Sequence, residues 1–215
     1  MNPQARLDNI AAVASINDPV RRSLFDFAVR SETAIGRDEA ATALGIPRGT
    51  VAFHLDRLVE SGLLTTEFQR RTGRTGPGAG RPSKLYRPTR AEVVVSLPER
   101  HYDLAADLLS SAIEESDRTS EPIRQALIRV STARGRALRI SAGSFAAMLS
   151  DTGYEPHDRV HGGKVLTNCP FHRLALSHTE IICQANLALL QGAAEGEEEI
   201  RFDPGEGRCC VQIGA

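Results

Sequence analysis

The sequence predicts a mainly α-helical protein with small β parts, arranged in three consecutive segments. Residues 1–92 combine short helical patterns with two extended runs on either side of a glycine-rich loop. Residues 93–141 carry two long amphipathic helical patterns, and residues 142–215 alternate short helical and extended runs. A chain of 215 residues is long enough for two domains with separate cores, so more than one folded unit is expected.

The first clear helix is predicted over residues 19–30, after a stretch at 2–15 that indicates only a short or frayed helix. Asp18 is a favourable N-cap, and Pro19 suits the first helical position because its nitrogen needs no hydrogen bond there. The apolar face of this helix consists of Val20, Leu24, Phe25, Phe27 and Ala28.

A pair of helices is predicted next, over residues 37–44 and 48–62. Ala41, Gly45 and Val51 have the spacing of two helices that meet across a tight turn, in which Gly45 is free to take positive φ. The second helix has apolar residues at i, i+4, i+7 and i+8, which are Val51, Leu55, Leu58 and Val59. Its polar side carries Arg48, Thr50, His54 and Arg57.

Two extended runs, at 64–69 and 83–86, enclose a loop rich in glycine and arginine. Between Thr66 and Arg90, a single acid, Glu67, stands against seven basic residues: Arg70, Arg71, Arg74, Arg81, Lys84, Arg87 and Arg90. Such a density of arginine suits contact with phosphates or with a narrow minor groove. Each part alone is common, since charged helix faces are usually solvated and glycine loops are usually plain hairpins. Their order, however, predicts a winged helix-turn-helix domain that binds double-stranded operator DNA.

The distribution of charge agrees with this interpretation. Residues 1–92 hold 14 of the 26 Lys and Arg and 10 of the 27 Asp and Glu, a net charge of +4, so the remainder carries −5. A basic half joined to an acidic half fits a DNA-binding module with a separate sensing or assembly module. No apolar run has the length of a signal peptide or a membrane span, which predicts a cytoplasmic protein with no membrane partner.

Two long helices are predicted after a β-branched stretch at 91–96, which is expected to be a short strand or an extended link. The first covers 97–116, with apolar residues Leu97, Leu104, Leu108, Leu109, Ala112 and Ile113. The second follows Pro122, with apolar residues Ile123, Leu127, Val130 and Leu138. Winged helices usually read two half-sites, so these helices are expected to pack between the protomers of a homodimer. The alternative is a helical hairpin buried within one protomer.

Residues 142–215 predict a small α+β domain. A helix is expected at 143–151, and strands are expected at 155–160, 164–167, 200–202 and 209–213. Ser177 and Glu180 have the spacing of a capping box, which places Ser177 at the N-cap of a further helix.

All four cysteines lie in this last segment and none forms a C-x-x-C pair. In a reducing compartment they are more often free, catalytic or metal-bound than disulfide-bonded. Cys169 is in a loop, Cys183 is in a helix, and Cys209 and Cys210 are in a predicted strand. They can therefore converge on one metal site, although four separate buried cysteines are the alternative.

Cys209 and Cys210 are adjacent, so in a regular strand only one of them faces a common site. Cys209 is in phase with Val211 and Ile213 on the expected core side and is then the better ligand. In an irregular segment Cys210 could take its place. The local histidines that could supply a fourth ligand are His172 and His178.

Two stretches resemble a known family. The wing ends with Gly80-Arg81-Pro82-Ser83-Lys84-Leu85-Tyr86-Arg87-Pro88, which is similar to a group of bacterial ArsR-like winged-helix regulators. The second stretch is similar to the C-terminal domain of these regulators. It consists of Asn168-Cys169-Pro170-Phe171-His172, the helix cysteine Cys183, and a late cysteine ahead of Val211-Gln212-Ile213. This group includes the SufR repressors of iron–sulfur cluster assembly genes, and the resemblance extends from about residue 17 to 213.

The resemblance implies a homodimer that binds an iron–sulfur cluster, [4Fe–4S], through three cysteines in each C-terminal domain. With the cluster bound, such a protein represses cluster-assembly genes. The ligands carried over are Cys169, Cys183 and one of Cys209 or Cys210, because the doubled cysteine departs from the family pattern.

Other readings keep the DNA-binding domain but give the cysteines a structural zinc or a thiol switch, or place a small-ligand sensor in the C-terminal domain. A Cys/His enzyme is a remote alternative. The sequence has no nucleophile–base pattern, phosphate loop or dinucleotide fingerprint, so no enzymatic activity is expected.

Overall fold

The computed structural model describes residues 3–69, 82–89, 92–160, 162–205 and 207–214. Within these ranges there are nine helices and seven short strands, which form two antiparallel sheets. The chain is thus mainly helical with small β parts, as predicted. It divides into a smaller unit, Gln4–Val95, and a larger unit formed chiefly by Ser96–Ala215, and each has its own hydrophobic core. None of the helices in the described ranges has the length and apolar character needed to cross a membrane.

The helices of the smaller unit are α1 (Pro3–Ser15), α2 (Pro19–Arg30), α3 (Arg37–Leu44) and α4 (Arg48–Glu60). The Asp18 side chain caps α2 by accepting a hydrogen bond of 3.0 Å from the Arg21 backbone N–H, which confirms the predicted start. Gly45 ends α3 with a φ of +66°, also as predicted. Helix α4 ends two residues earlier than expected, since the chain turns at Gly62 with a φ of +75°.

The smaller sheet contains β1 (Ile35–Gly36), β2 (Leu64–Gln69) and β3 (Ser83–Pro88), with β3 in the middle. The register of β2 and β3 runs from Leu64 opposite Pro88 to Gln69 opposite Ser83. Strand β1 was not predicted, because two residues are too few to show an alternating pattern. Most of the predicted basic loop, residues 70–81, lies outside the described residues. The largest fully buried side chains of this core are Leu24, Ile35, Val51, Leu55, Leu58 and Tyr86.

The larger unit contains α5 (Tyr102–Thr119), α6 (Ile123–Ala142), α7 (Phe145–Asp151), α8 (His172–Ser177) and α9 (Thr179–Ala194). Helix α6 makes its main contacts with α9 and α5. At the crossing of α6 and α9 the two backbones touch at a pair of glycines. A Cβ added to Gly135 would lie 1.9 Å from the Leu189 carbonyl oxygen, and one added to Gly192 would lie 2.1 Å from that of Thr132. No larger residue fits either position without moving a helix.

The second sheet has the strand order β4-β5-β7-β6 and is antiparallel throughout. Its strands are β4 (Pro156–Asp158), β5 (Lys164–Leu166), β6 (Ile200–Phe202) and β7 (Val211–Ile213). All four were predicted, but the last one begins at Val211 rather than at 209. The two residues before it, Cys209 and Cys210, lie outside any regular element.

The start of α5 differs from the prediction. The helix begins at Tyr102 rather than at residue 97 because the chain before it is bound to another part of the unit. The Asn168 side chain donates a hydrogen bond of 2.9 Å to the Glu99 carbonyl, and the His101 N–H donates one of 3.1 Å to the Pro170 carbonyl. Residues 92–96 form no strand, so the β-branched stretch is an extended link in its described part.

The capping box predicted at Ser177 is wrong. Ser177 is the last residue of α8, and the His178 N–H donates to the Leu174 carbonyl at 2.8 Å, so the backbone is already helical where an N-cap would have to be extended. The N-cap of α9 is His178, which makes no capping bond with its side chain. Glu180 instead forms an ion pair of 3.2 Å with Arg124 of α6.

The apolar faces of α5 and α6 are largely buried inside this unit. Leu104, Leu108, Ala112, Ala126 and Leu127 are buried in the same core as the apolar residues of α9. The segment predicted at 93–141 therefore shares its core with residues 142–215, in the manner of a hairpin within one protomer. The large apolar side chains that these two helices leave exposed are Ile113, Ile123, Ile128 and Ile140.

Candidate functional site

Helix α4 has one exposed face along its whole length. Its members are Gly49, Thr50, Phe53, Arg57 and Glu60. The structure therefore places two of the predicted contact residues, Thr50 and Arg57, on this outward face, whereas Phe53 was not predicted. The Arg57 guanidinium lies 2.7 Å from the Glu60 carboxylate and 5.3 Å from the centroid of the Phe53 ring.

The two other predicted residues of α4 differ from each other in exposure. Arg48, in the first turn, is exposed and forms an ion pair with Asp38 of α3. The His54 side chain is only 14% exposed, and its Nδ1 lies 4.0 Å from the Asp18 carboxylate. His54 therefore packs against the start of α2 and does not share the outward face of α4.

Lys84, predicted to contact DNA, is engaged within the smaller unit. Its Nζ lies 2.6 Å from Asp56 Oδ1 of α4, and the Tyr86 hydroxyl donates to the same oxygen at 2.7 Å. Partial burial raises the pKa of Asp56, but the hydrogen bonds from Lys84 and Tyr86 outweigh it, and the net effect is a pKa below the usual value. Burial and the neighbouring Asp56 raise the pKa of Tyr86. The pair thus joins β3 to α4.

Four of the predicted DNA contacts are arginines of the loop between β2 and β3. These residues, Arg70, Arg71, Arg74 and Arg81, lie outside the described residues. Their part in binding DNA stays a prediction from the sequence.

All four cysteines line a single pocket of about 330 Å³ in the larger unit. Cys169 lies between β5 and α8, Cys183 lies in α9, and Cys209 and Cys210 lie just before β7. Each is buried and carries a free thiol. The four cysteines thus meet in one pocket, which is the first of the two arrangements that their positions in the sequence allow.

The adjacent pair does not follow the alternation of a strand. Because β7 begins at Val211, Cys209 and Cys210 are in an irregular segment, and both line the pocket. Cys209 interacts with the Cys169 thiol and Cys210 with the Cys183 thiol. Position alone therefore does not decide which of the two would serve as the third ligand.

Hydrogen bonding among the thiols makes Cys169 and Cys210 donors and Cys209 and Cys183 acceptors. Bonds from the Cys169 and Cys210 thiols hold the pKa of Cys209 well below its usual range, and the Asn186 amide lowers it further. The same bonds to Cys209, together with burial, raise the pKa of Cys169 and of Cys210. Burial also raises the pKa of Cys183. Cys209 is therefore the thiol that most readily carries negative charge.

A buried polar pair stands behind Cys209. Asn186 Nδ2 lies 3.1 Å from Cys209 Sγ and 4.0 Å from Cys210 Sγ, and the Tyr154 hydroxyl donates to Asn186 Oδ1. Asn186 is 1% exposed and Tyr154 2% exposed. Neither was predicted, because both are more than twenty residues from Cys209 in the sequence. The sequence feature that could have pointed to this pair is Asn186 itself, an asparagine on the apolar face of α9.

The rim of the pocket carries charged and polar groups. Arg208 lines it and is held by Asp203, with one guanidinium nitrogen 2.6 Å from the backbone carbonyl and the other 2.8 Å from the carboxylate. His172, a predicted fourth ligand, is exposed and also lines the pocket, whereas His178 is not among the lining residues. Arg208 was missed, although a basic residue directly before a cysteine pair was visible in the sequence.

Cysteine thiolates are ligands both of zinc and of iron–sulfur clusters. In the described part of the chain, no group of three or more His, Cys, Asp and Glu side chains is arranged to hold one metal ion. An iron–sulfur cluster takes its thiolates on separate iron atoms, so its ligands surround a volume and do not converge on a point. Four thiols in the wall of one pocket match that requirement.

Comparison of the chain with models of protein families and with curated proteins finds no match. The likeness to ArsR-like regulators therefore depends on the residues quoted above. What that likeness implies about function is treated below as a proposal.

Proposed function

We propose that the protein is a DNA-binding transcriptional regulator that represses iron–sulfur cluster assembly genes and senses cluster status through its C-terminal cysteines. The observation that carries the proposal is the meeting of all four cysteines, from three separate parts of the chain, in one pocket. Such a site sits in the same chain as an exposed helix that precedes a basic, glycine-rich loop. Both features are those of a winged-helix repressor with a cluster sensor.

In the DNA-binding half, α3 and α4 would form the helix-turn-helix, and β2 and β3 would frame the wing. The exposed face of α4 supplies Thr50 and Arg57 for the edges of bases in the major groove. On binding, Arg48 and Arg57 would leave their ion pairs with Asp38 and Glu60 and contact the operator. The wing arginines would contact flanking phosphates or the minor groove. Such contacts set the position of the protein on the DNA more than they select a base sequence.

In the sensing half, Cys169, Cys183 and either Cys209 or Cys210 would hold the cluster. Cys209 is favoured as the third ligand because hydrogen bonds from Cys169, Cys210 and Asn186 lower the pKa of its thiol. Arg208 lines the same pocket, with its guanidinium paired to Asp203. A bound [4Fe–4S] cluster supplies a redox-active group that oxidation or loss of iron removes, and this makes it suitable as a signal.

A homodimer in the cytoplasm completes the proposal, because two protomers match a two-fold operator and a reducing compartment keeps the thiols free. By linkage, a bound cluster changes the affinity for DNA only to the extent that it binds one conformation of the protein more tightly than another.

The deciding test of the sensing half is anaerobic purification followed by a visible absorption spectrum and analysis for iron, sulfide and zinc. We expect a brown protein with iron and sulfide in similar amounts, and loss of the colour in Cys169→Ser and Cys183→Ser. Parallel Cys209→Ser and Cys210→Ser variants identify the third ligand. A colourless protein with stoichiometric zinc, or with no metal after reconstitution with ferrous iron and sulfide, would contradict the proposal.

The DNA-binding half is tested by binding to the DNA upstream of the protein's own gene over a series of salt concentrations. Arg57→Ala is expected to weaken binding by about 5- to 150-fold, the value of a base contact. Arg74→Ala is expected to reduce the salt dependence by about one ion, as for a lost phosphate contact. Arg124→Ala, which removes an exposed arginine of the larger unit, is the matched control. Unchanged affinity and salt slope in both test variants would exclude these contacts.

A second candidate function, a sensor of a small organic ligand, has one observation in its favour. A separate pocket of about 510 Å³ in the larger unit has an apolar floor that includes Leu138 and Met148 and a charged rim that includes Asp107 and Arg134. That volume is within the range of small-molecule sites. Met148→Trp would fill this pocket, so a Met148→Trp variant with unchanged regulation by iron would argue against the second candidate.

A further inference from the structure

The chain that connects the two units is fixed at both ends by side-chain amides. Within the smaller unit, the Asn9 amide donates a hydrogen bond of 3.0 Å to the Val94 carbonyl. Within the larger unit, residues 99–101 are bound to the loop that carries Cys169. In sequence, only residues 95–98 separate the two anchored points.

The anchor in the larger unit is centred on Asn168. Its amide nitrogen donates to the Glu99 carbonyl at 2.9 Å and to the Gly153 carbonyl at 2.6 Å, and its amide oxygen accepts from the Arg100 guanidinium. Asn168 is 4% exposed. Both donor hydrogens and the acceptor of the amide are thus used inside the protein, where water does not replace a lost partner.

The neighbouring backbone strengthens this anchor. Arg100 Nη1 also donates to the Cys169 carbonyl at 3.2 Å, and the His101 N–H donates to the Pro170 carbonyl at 3.1 Å. Cys169 therefore contacts the connecting segment through its carbonyl and the cysteine pocket through its thiol. A displacement of the Cys169 backbone is therefore transmitted to residues 99–101, because its carbonyl is bonded to Arg100.

We propose that Asn168 is the positioning residue that couples occupancy of the cysteine pocket to the segment leading to the DNA-binding unit. The proposal rests on the cluster-sensing function proposed above. When Cys169 becomes a ligand, its backbone is drawn toward the pocket, and Asn168 and Arg100 carry that displacement to residues 99–101 at the start of α5. Removing the Asn168 amide leaves every proposed ligand in place and removes the side-chain bonds that tie the ligand loop to the Glu99 carbonyl and to Arg100, whereas the backbone bond from His101 to Pro170 remains.

The test compares operator affinity with and without the cluster, reconstituted from ferrous iron and sulfide, in the full-length wild type and in Asn168→Ala. For the wild type we expect a ratio of affinities on the order of 5 to 150, the usual range of coupling between two sites. For Asn168→Ala we expect the same iron content and absorption spectrum and a ratio within about twofold of one, as linkage requires when coupling is lost. Thr167→Ala, which removes an exposed hydroxyl bonded to Glu155, is the matched control and keeps the wild-type ratio.

Two further readouts separate coupling from a merely structural effect. In equilibrium competition with a chelator, operator DNA should strengthen retention of iron in the wild type by the same factor as the cluster strengthens DNA binding, and should have no effect in Asn168→Ala. Hydrogen exchange of residues 97–101 should differ between the cluster-bound and cluster-free wild type and be identical in the two states of the variant.

The possible results are distinguishable. An Asn168→Ala protein that keeps its cluster and the full wild-type ratio overturns the proposal while the sensing function stands. If Asn168→Ala loses the cluster, Asn168→Asp decides, since it keeps the acceptor for Arg100 and the size of the side chain but removes the donors to the Glu99 and Gly153 carbonyls; a wild-type ratio in Asn168→Asp again overturns the proposal. A wild type that binds no cluster or no operator overturns both this inference and the proposed function.

Discussion

Asp56 is the acceptor that holds Lys84 and Tyr86 of β3 against α4, and its ionisation should therefore affect stability. Because the pKa of Asp56 is lower in the folded than in the unfolded chain, its contribution is present above the unfolded value of about 4 and is lost as the pH falls through the folded value. We predict that Asp56→Asn lowers the free energy of unfolding by about 1 kcal/mol at pH 7, after allowance for the solvent exposure of the carboxylate. The deficit should narrow as the pH falls from about 5 to 3.

Urea unfolding followed by circular dichroism across this pH range measures the effect. Glu60→Gln, which removes an exposed carboxylate from the same helix, is the control and should change stability by less than about 0.5 kcal/mol. A deficit for Asp56→Asn that is equal at pH 7 and pH 3 would contradict the argument.

Asn186 donates to Cys209 from a fully buried position, and if Cys209 is the third cluster ligand as proposed, Asn186 is the group that orients it. We predict that Asn186→Ala weakens retention of the reconstituted cluster by about 10- to 100-fold, measured as iron release to a chelator. Gln184→Ala, on the exposed side of the same helix, should release iron at the wild-type rate. Equal rates for the two variants would remove Asn186 from the site.

The sequence alone identifies the candidate residues of the cysteine pocket but not the residues that surround them. The four cysteines and His172 are visible as candidates because their chemistry is specific, and the structure does bring them to one pocket. Asn186 and Tyr154 are not visible, because their roles depend on contacts between residues far apart in the chain. Lys84 had the right charge for DNA, but only the packing of β3 on α4 reveals its bond to Asp56.

The contact between α6 and α9 admits only glycine at Gly135 and Gly192, where the two backbones touch. We predict that Gly135→Ala and Gly192→Ala each destabilise the protein by about 1–3 kcal/mol, because the added methyl group meets backbone atoms that cannot rotate away. Thermal or urea unfolding measures this loss. Gly49→Ala in α4 is the control, since a Cβ there meets nothing within 4 Å and should stabilise the helix by up to about 1 kcal/mol. A neutral Gly135→Ala would mean that the helices are farther apart.

Elements with strong local signals were predicted almost to the residue. Helix α2 is fixed by Asp18 and Pro19, and α3 ends at a glycine that takes positive φ. The start of α5 and the cap of α9 were missed for a common reason, which is that a neighbouring segment determines them. Asn168 holds the residues before α5 out of the helix, and α8 already occupies the position where Ser177 would have capped α9.

For the molecule as a whole, the homodimer stays a prediction, and the structure narrows the surface that could form it. Since most apolar residues of α5 and α6 are internal, a dimer formed through these two helices, as the sequence predicts, would use their exposed isoleucines. Ile113 is 50% exposed near the end of α5 and Ile123 46% exposed at the start of α6, so they occupy the same end of the hairpin. We predict that Ile113→Glu converts a dimer to a monomer in sedimentation velocity and weakens operator binding.

Ile140→Glu, at the opposite end of α6, is the matched control because its side chain is even more exposed, at 76%. It should leave the dimer intact. Dissociation by Ile140→Glu alone would place the interface at the other end of the hairpin, and a monomeric wild type at micromolar concentration would exclude the dimer.

The glycine contact between α6 and α9 also has a mechanical consequence for the cysteine pocket. Where two helix backbones touch with no side chain between them, neither helix can roll or slide without a collision of main-chain atoms. Cys183, on α9, is thereby fixed to the frame of the unit, whereas the other three cysteines stand on segments outside helices and strands. A change in the width of the pocket that keeps α6 and α9 in contact therefore requires displacement of the segments before α8 and before β7, which carry the other three cysteines, and Asn168 lies in the first of these.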